Sequence, residues 1–299
     1  MSGKTRVHLS LEQLADRITP TTAIFSNGML LVQGDNQGNN INVLATSNGT
    51  IQVTERGQQV NIQGATPATT ANTQLVVEKA GTGNNNTLST AASLGAIPDT
   101  LIGNGGGTNT FAPLNNAPST AFGSSNAFAV NDFKSNPGGK DVFVGGKGFN
   151  LFDWEPGTGT DTYIGAGKFN EVLVVGNNNG TAENDALMAD GFGGVTFSRN
   201  NLVPFNIYTQ GIQDWVLEPS TGTGNNVVIG DLTGTPTKRV AVDASGSTVN
   251  AANQNNAQVN LVVNGQHDTI SEGAGPTRTT NTTAPTATDL LNALRLRAS

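Results

Sequence analysis

The sequence has no cysteine, only two histidines, and few charged or aromatic residues. Without cysteine the chain can form no disulfide bond, no thiolate metal site and no cysteine nucleophile. Only 12% of its 299 residues are charged and the formal net charge is −7. No cluster of lysine and arginine is present, so the basic surface that binds nucleic acid is excluded.

Long apolar runs are also missing. No run approaches the ~18 residues that a membrane-spanning helix needs, which predicts no membrane span. The N-terminus has neither the apolar centre nor the small-residue cleavage site of a classical signal peptide.

Glycine and short apolar runs dominate what is present. The chain has 38 glycines, and 35% of its residues are hydrophobic, which is too many for a disordered chain. The apolar residues occur in short β-branched runs between clusters of Gly, Asn, Asp and Thr. This pattern is typical of many short strands joined by tight turns, so the sequence predicts an all-β protein with a repetitive architecture.

Four consecutive nine-residue units lie between residues 136 and 173, with a two-residue insertion at 154–155. Their sixth residues alternate between aspartate and asparagine: Asp141, Asn150, Asp161 and Asn170. Their eighth residues are large and apolar: Phe143, Phe152, Tyr163 and Val172. Glycines precede the sixth residue, among them Gly139 and Gly159.

These units resemble the RTX, or haemolysin-type, nonapeptide repeat G-G-x-G-x-D-x-U-x, in which U is a large apolar residue. The resemblance implies a β-solenoid or β-roll-like fold with irregular rungs, in which units one and three stack on one side and units two and four on the other. It also implies calcium, because glycine carbonyls and the sixth-position carboxylate are the hard oxygen ligands that Ca²⁺ prefers. The residues implied as metal ligands are Asp141, Asp161, Gly139, Gly159, Asn150 and Asn170.

A metal-free alternative stays open. Asparagine offers only a neutral oxygen, so the side with Asn150 and Asn170 predicts weak calcium binding or none. Asparagine and aspartate also close turns and stack into hydrogen-bonded ladders without any metal.

A longer duplication joins residues 153–165 to residues 214–230, since both contain Asp-Trp, Glu-Pro, Gly-Thr-Gly and Ile-Gly in order. Two interpretations of its tryptophans, Trp154 and Trp215, are open: anchors that hold loops on the core, which the duplication favours, and exposed platforms for stacking on sugars. The duplication also contains two candidate carboxylate pairs for acid–base catalysis. These pairs are Asp153 with Glu155 and Asp214 with Glu218.

The sequence divides into four predicted segments. Residues 1–22 form an N-terminal helix that serves as an export or capping segment, and 23–72 form a β-meander or the first solenoid rungs. Residues 73–273 form the degenerate RTX-like solenoid, and 274–299 form a Thr/Pro-rich linker with a C-terminal helix. The predicted helices cover 11–18 and 289–297. Residues 11–17, followed by Thr19-Pro20, resemble a short motif on exported surface proteins of planctomycete-type bacteria.

No motif points to catalysis. The chain has no G-x-S-x-G, no H-E-x-x-H and no phosphate-binding loop, and its histidines, His8 and His267, are far apart in sequence. We therefore expect a secreted structural or adhesive protein of the cell surface or extracellular matrix, with itself or a surface polysaccharide as partner. The alternative is a carbohydrate- or ice-binding solenoid that uses threonine ladders, such as Thr158, Thr160 and Thr162 or Thr221 and Thr223. A third alternative is a β-helix enzyme that degrades polysaccharide.

Overall fold

A computed structural model of the chain describes residues 20–177, 179–243, 246–264 and 269–280. These residues form 26 β-strands and one short 3₁₀ helix, Ala92–Leu94. The all-β prediction is thus confirmed for the described part of the chain. The helices predicted for 11–18 and 289–297 lie outside the described residues, as do both histidines. No described helix has the length and apolar composition needed to span a membrane.

The strands form two large sheets. Sheet A has 14 strands, in the spatial order β6 (Ile62–Gln63), β1 (Thr22–Ser26), β2 (Met29–Gln33), β7 (Leu75–Lys79), β9 (Asp99–Ile102), β11 (Ser119–Phe122), β13 (Val142–Val144), β15 (Asp161–Ile164), β19 (Phe205–Gln210), β18 (Val195–Arg199), β17 (Asn184–Ala189), β21 (Asn225–Ile229), β23 (Ser247–Asn250) and β25 (Thr269–Ser271). Sheet B has 12 strands, in the order β5 (Gln58–Val60), β4 (Ile51–Glu55), β3 (Asn40–Ala45), β8 (Asn86–Thr90), β10 (Thr108–Pro113), β12 (Val130–Lys134), β14 (Phe149–Trp154), β16 (Phe169–Val175), β20 (Asp214–Glu218), β22 (Arg239–Asp243), β24 (Asn260–Asn264) and β26 (Thr277–Thr280).

Consecutive strands alternate between the two sheets from β7 to β16 and again from β20 to β26. Each of these strands pairs in parallel with the strand two places away in the chain, as β13 does with β15 and β14 with β16. Parallel neighbouring strands need a crossover connection. Here the connection between two neighbouring strands of one sheet contains one strand of the other sheet, as β14 of sheet B lies between β13 and β15 of sheet A. Units one and three of the nonapeptide pattern therefore pair in sheet A, and units two and four pair in sheet B.

Antiparallel strands interrupt this alternation at two places. At the N-terminal end, β1 pairs with β2, and β3, β4 and β5 form an antiparallel group. In the second half, β17, β18 and β19 form an antiparallel group inside sheet A, between β15 and β21. Sheet B has no counterpart to this group, because β16 pairs directly with β20.

The core lies between the sheets and contains a stack of aromatic rings. Phe133 stacks on Phe111 at 4.6 Å and on Phe152 at 4.9 Å, and Phe152 stacks on Tyr163 at 5.2 Å. The eighth residues of all four nonapeptide units are buried, as the repeat pattern predicts. The aromatic residues at one register position of β10, β12 and β14 thus stack on each other along sheet B, and Tyr163 of sheet A packs against them.

Both sheets continue across the segment boundaries suggested by the sequence. β2 pairs with β7 and β3 pairs with β8, so residues on the two sides of position 72 share the same sheets. In the stretch at 65–72, Ala68 is buried and Thr69 bridges to Thr50. The Thr-rich residues after Gly273 include strand β26, which pairs with β24.

Candidate functional site

Five buried asparagines form a continuous ladder along sheet B. They are Asn86, Asn109, Asn131, Asn150 and Asn170, and each is at most 1% exposed. In each step the Nδ2 of one asparagine donates to the Oδ1 of the next, over distances of 2.8, 3.5, 2.9 and 2.6 Å. The last amide donates to Oε1 of Gln213 at 3.1 Å.

The ladder forms because the five asparagines occupy the same register position on neighbouring parallel strands. Parallel strands lie about 4.8 Å apart, which an amide hydrogen bond between identical side chains can span. An amide has both donor and acceptor groups, so each residue satisfies its neighbours. The structure therefore places Asn150 and Asn170 in an amide ladder.

Asp141 and Asp161 lie on the opposite side, at neighbouring turns that lead into sheet A. The two carboxylate oxygens of Asp141 accept the backbone N–H groups of Ser119 and Asn136, both at 2.9 Å. Asp161 accepts the backbone N–H of Asp141 at 3.0 Å and the hydroxyl of Tyr163 at 3.0 Å. Each carboxylate thus ties its own turn to the next one.

Burial changes the protonation of these aspartates. Burial, with a smaller contribution from the neighbouring Asp161 carboxylate, raises the pKa of Asp141 to about 8. Burial also raises the pKa of Asp161 to about 6, although its two hydrogen bonds act in the other direction. At neutral pH Asp141 therefore favours the neutral form, whereas Asp161 is mostly ionised because its pKa of about 6 lies below neutral pH.

The surroundings of these aspartates offer few calcium ligands. Calcium takes ~6–8 oxygen ligands, whereas the four carboxylate oxygens described above face hydrogen-bond donors. Among the described residues, no three His, Cys, Asp or Glu side chains gather as metal ligands. This arrangement supports the metal-free alternative, and calcium binding stays a prediction.

Gly139 and Gly159 permit close contact between the stacked turns. A Cβ atom on Gly139 would lie 2.6 Å from Oδ1 of Asp141, and one on Gly159 would lie 2.6 Å from the carbonyl oxygen of Gly139. Gly159 also has a φ of +91°, a conformation that favours glycine. Both positions therefore require glycine on steric grounds alone.

The two tryptophans of the duplication anchor the core, as one of the two interpretations predicts. Trp154 and Trp215 are 1% and 0% exposed. The ring of Trp154 stacks on Phe205 at 3.8 Å, and its Nε1 donates to the carbonyl of Gly159 at 3.2 Å. The interpretation of these rings as exposed sugar-stacking platforms is wrong, because neither ring reaches the surface.

The candidate catalytic carboxylates are held by cations. Asp153 and Asp214 point away from the core on the outer side of sheet B. Asp153 forms an ion pair with Lys134, and Asp214 forms one with Arg239 at 2.6 Å. Arg239 also forms an ion pair with Glu171 at 3.5 Å. No sequence motif indicated Glu171 or its pairing with Arg239. Glu155 is exposed and Glu218 half-buried.

A cleft of about 650 Å³ lies where the antiparallel group of sheet A interrupts the alternation. Its lining includes Trp154, Arg199 and Phe205, and none of the described residues that line it is acidic or a histidine. The guanidinium of Arg199 lies 4.7 Å from the Phe205 ring centre and forms an ion pair with Glu183 at 2.9 Å. The charge of this arginine is therefore already neutralised by Glu183.

The outer side of sheet A carries the most regular exposed surface. Strands β9, β11, β13 and β15 each place two uncharged side chains outward, since the residues between them are fully buried. We call these eight residues the sheet A face: Thr100, Ile102, Thr120, Phe122, Val142, Val144, Thr162 and Ile164.

The sheet A face consists of two rows in register. One row contains Thr100, Thr120, Val142 and Thr162. The other row contains Ile102, Phe122, Val144 and Ile164. Phe122 is 41% exposed and Val142 is 37% exposed, while the other six are half-buried.

The threonines noted from the sequence are mostly elsewhere. Of Thr158, Thr160 and Thr162, only Thr162 belongs to the sheet A face. Thr158 is buried in a turn, where its hydroxyl donates to the carbonyl of Glu155 at 2.7 Å. Thr221 and Thr223 lie in the turn before β21. These threonines do not share one sheet face, because side chains that share a sheet face come from neighbouring strands and not from neighbouring positions in sequence.

Comparison of the chain with protein-family models, with curated proteins and with solved structures finds no match in any of the three.

Proposed function

We propose that this chain is a secreted bacterial β-solenoid that serves as a structural and adhesive component of the cell surface or extracellular matrix. The observation that carries this proposal is the sheet A face, with eight uncharged side chains in two registered rows on four parallel strands. Exposed apolar surface of this kind marks sites of association.

The interior suits a load-bearing rod. The asparagine ladder and the stack of Phe133 on Phe152 run across successive strands of sheet B. In sheet A, Phe143 stacks on Tyr163 at 5.6 Å and Asp161 accepts the backbone N–H of Asp141, so the strands that carry the sheet A face are held together before the face meets a partner. A rigid surface loses little conformational entropy on association, which favours binding.

The arrangement of acidic groups supports a non-enzymatic function. Acid–base hydrolysis of a sugar needs two carboxyls facing the same open space. Asp153 and Asp214 are both buried and paired with cations, and the described lining of the cleft has no carboxylate.

The partner that fits the sheet A face best is a second copy of the chain. Two such faces are uncharged and equally regular, so they can pack on each other without burying an unpaired charge. Secretion to the cell surface fits the resemblance of the repeats to RTX nonapeptides and remains part of the proposal.

One observation favours a second candidate function, the binding of polysaccharide or ice. Three of the four residues in one row of the sheet A face are threonines: Thr100, Thr120 and Thr162. A threonine offers a hydroxyl and a methyl group together, which suits both a sugar and an ordered water surface.

The test compares the wild type with a face variant, Thr120→Lys/Phe122→Lys/Val142→Lys. The matched control is Phe128→Lys/Phe192→Lys/Val203→Lys, which adds the same charge at exposed apolar residues outside the face. Each protein is examined by sedimentation velocity over a range of concentrations, by co-sedimentation with insoluble polysaccharide, and by inhibition of ice recrystallisation.

We expect concentration-dependent self-association in the wild type and the control, and its loss in the face variant. Binding to polysaccharide or ice without self-association, again lost only in the face variant, supports the second candidate. A wild type that stays monomeric and inactive in all three measurements overturns both functions.

A further inference from the structure

The outer side of sheet B carries an apolar cluster that is separate from the core between the sheets. It consists of Leu151, Leu173, Val216 and Ala241, with Val175 and Val262 packed against it. We call these six residues the sheet B patch. They point outward, because the residues beside them in each strand are part of the inter-sheet core.

The burial of the sheet B patch is unusual for an outer face. Leu151 and Val216 are 0% exposed, whereas Val142 on the outer side of sheet A is 37% exposed. The described strands β14, β16, β20 and β22 make their main contacts with their neighbours in the same sheet. Contacts between strands of one sheet leave the outward-pointing side chains open to solvent on the side away from the core. Since the side chains of the sheet B patch are nevertheless buried, the patch requires a covering layer.

Charged residues surround the sheet B patch. Four acidic side chains and two basic ones point outward beside it: Asp132, Asp153, Glu171, Asp214, Lys134 and Arg239. Acidic groups outnumber basic groups, and all four are at most 5% exposed. The patch and its surroundings therefore match a segment that is apolar along one side and carries positive charge.

The C-terminal residues 281–299 have this composition. They contain Leu290, Leu291, Leu294 and Leu296 together with Arg295 and Arg297. Leu290, Leu291 and Leu294 lie on one side of a helix, and their spacing predicts an amphipathic helix over 289–297, about 13 Å long, which would cross roughly three strands.

The position of the last described strand also favours this segment. β26 ends at Thr280 in sheet B, next to β24, which contributes Val262 to the patch. From β26 to β14 there are five strand spacings, or about 24 Å. The eight residues 281–288 reach about 26 Å when extended, so the predicted helix can begin as far away as β14.

The N-terminal segment is a poorer match. Its predicted helix, 11–18, ends two residues before Pro20, which lies beside Glu55 and Arg56 of the β4 end. β14 lies five strand spacings from β4, about 24 Å away. An eight-residue helix is only about 12 Å long, so the predicted N-terminal helix covers only about half of that distance.

We propose that the C-terminal segment 281–299 covers the sheet B patch, with its leucines on the apolar residues and its arginines beside the acidic side chains. The segment then acts as a third layer on sheet B, and sheet A remains the only broad exposed face of the described part. This inference uses none of the residues on which the proposed adhesive function depends.

Because the natural chain has no cysteine, introduced thiols report on this arrangement without interference. The full-length double variant Val216→Cys/Ala293→Cys is oxidised under mild conditions, and intramolecular disulfide is measured by mass spectrometry. The control is Val142→Cys/Ala293→Cys, in which the first cysteine lies on the sheet A face. We expect disulfide in the first variant and none in the control.

A disulfide in the variant Val216→Cys/Leu14→Cys overturns the proposal, because it assigns the patch to the N-terminal segment. A disulfide that forms only between two molecules also overturns it, because it assigns the patch to a second copy. Equal oxidation of the test pair and the control pair overturns it as well. Circular dichroism of each variant establishes that it is folded before oxidation.

A second measurement uses the single variants Val216→Cys and Val142→Cys with a maleimide reagent. We expect the thiol at position 216 to react slowly. Adding Leu291→Asp/Leu294→Asp should speed its reaction at least about tenfold, which corresponds to lowering the free energy of opening the covering segment by about 1.4 kcal/mol. The thiol at position 142 reacts at the same rate with and without the leucine substitutions. An unchanged rate at position 216 in a folded variant overturns the proposal.

Discussion

Asn150 donates a hydrogen bond from Nδ2 to Oδ1 of Asn170 over 2.6 Å, and both side chains are buried. The same Asn150 accepts through Oδ1 from Asn131 at 2.9 Å and from the backbone N–H of Gly146 at 2.8 Å. One residue thus joins three strands and closes its own turn. The ladder depends on each amide acting as donor and acceptor at the same time.

Replacing Asn150 by aspartate should be more harmful than its similar size suggests. An aspartate cannot donate to Asn170 and places a charge in a buried site, so we expect the free energy of unfolding to fall by about 3 kcal/mol. Chemical denaturation at neutral pH measures the change. The control, Asn116→Asp, is at an exposed position and should change it by less than about 0.5 kcal/mol. Equal effects of the two substitutions would contradict a structural function for the ladder.

The stability of the protein should decrease as the pH rises. Burial raises the pKa of Asp141 to about 8 and that of Asp161 to about 6, so the native state binds more protons than the unfolded chain between about pH 4 and pH 8. The stabilising contribution is complete below the unfolded pKa of about 4 and is lost as the pH passes the native values.

Thermal melts from about pH 5 to pH 9 test this dependence. We expect the midpoint to fall across this range, and Asp141→Asn to make the fall above about pH 6 less steep, because Asp141 has the higher native pKa of these two aspartates. Asp231→Asn, at a fully exposed aspartate, should leave the slope unchanged. A midpoint that rises with pH would show that these aspartates are charged in the native protein.

Arg199 should be essential for the packing of the antiparallel group. Its guanidinium pairs with Glu183 at 2.9 Å, and the two side chains are 6% and 2% exposed. Arg199→Leu leaves a buried carboxylate without its cation, which costs about 3–5 kcal/mol of unfolding free energy. The double variant Arg199→Leu/Glu183→Gln should recover part of this loss, because no buried charge remains. Lys147→Leu, at an exposed position, is the control.

Calcium should have little effect on the melting temperature. The carboxylate oxygens of Asp141 and Asp161 already accept hydrogen bonds from protein donors, so they have no need of a cation. We expect the same midpoint in millimolar calcium and in excess chelator. A midpoint that rises in calcium, and no longer rises in Asp141→Ala/Asp161→Ala, would instead establish the RTX-like calcium site that the sequence pattern implies.

Several features of the fold could be predicted from the sequence because they depend on periodicity. The resemblance of the nine-residue units to RTX repeats implies that units one and three stack and that units two and four stack, and the structure shows both pairings. The large apolar residues at position eight predict buried positions, and Phe143, Phe152 and Tyr163 are fully buried. The duplicated Asp-Trp favours core anchors, and both tryptophans are buried.

Other features depend on strand register between distant parts of the chain. Thr100 and Thr162 are 62 positions apart, yet β11 and β13 place them in the same row of the sheet A face. The consecutive nonapeptide units end at residue 173, and β17, β18 and β19 lie in the interval before the duplicated segment resumes at 214. The repeat pattern gives no register for this interval, and the row that joins Thr100 to Thr162 depends on strand pairing alone.

The sequence by itself determined the strand-rich class, the alternation of turns and strands, and the identity of the residues that face inward, because glycine turns and period-two alternation act over a few residues. The tertiary structure decided what those residues do. The same sixth position of the repeat gives an amide ladder at Asn150 and Asn170 and a chain of carboxylate-to-backbone bonds at Asp141 and Asp161. The difference arises because an amide can bond to its own kind on the next strand, whereas a carboxylate needs separate donors, which here are backbone N–H groups of its own and the neighbouring turn and the Tyr163 hydroxyl.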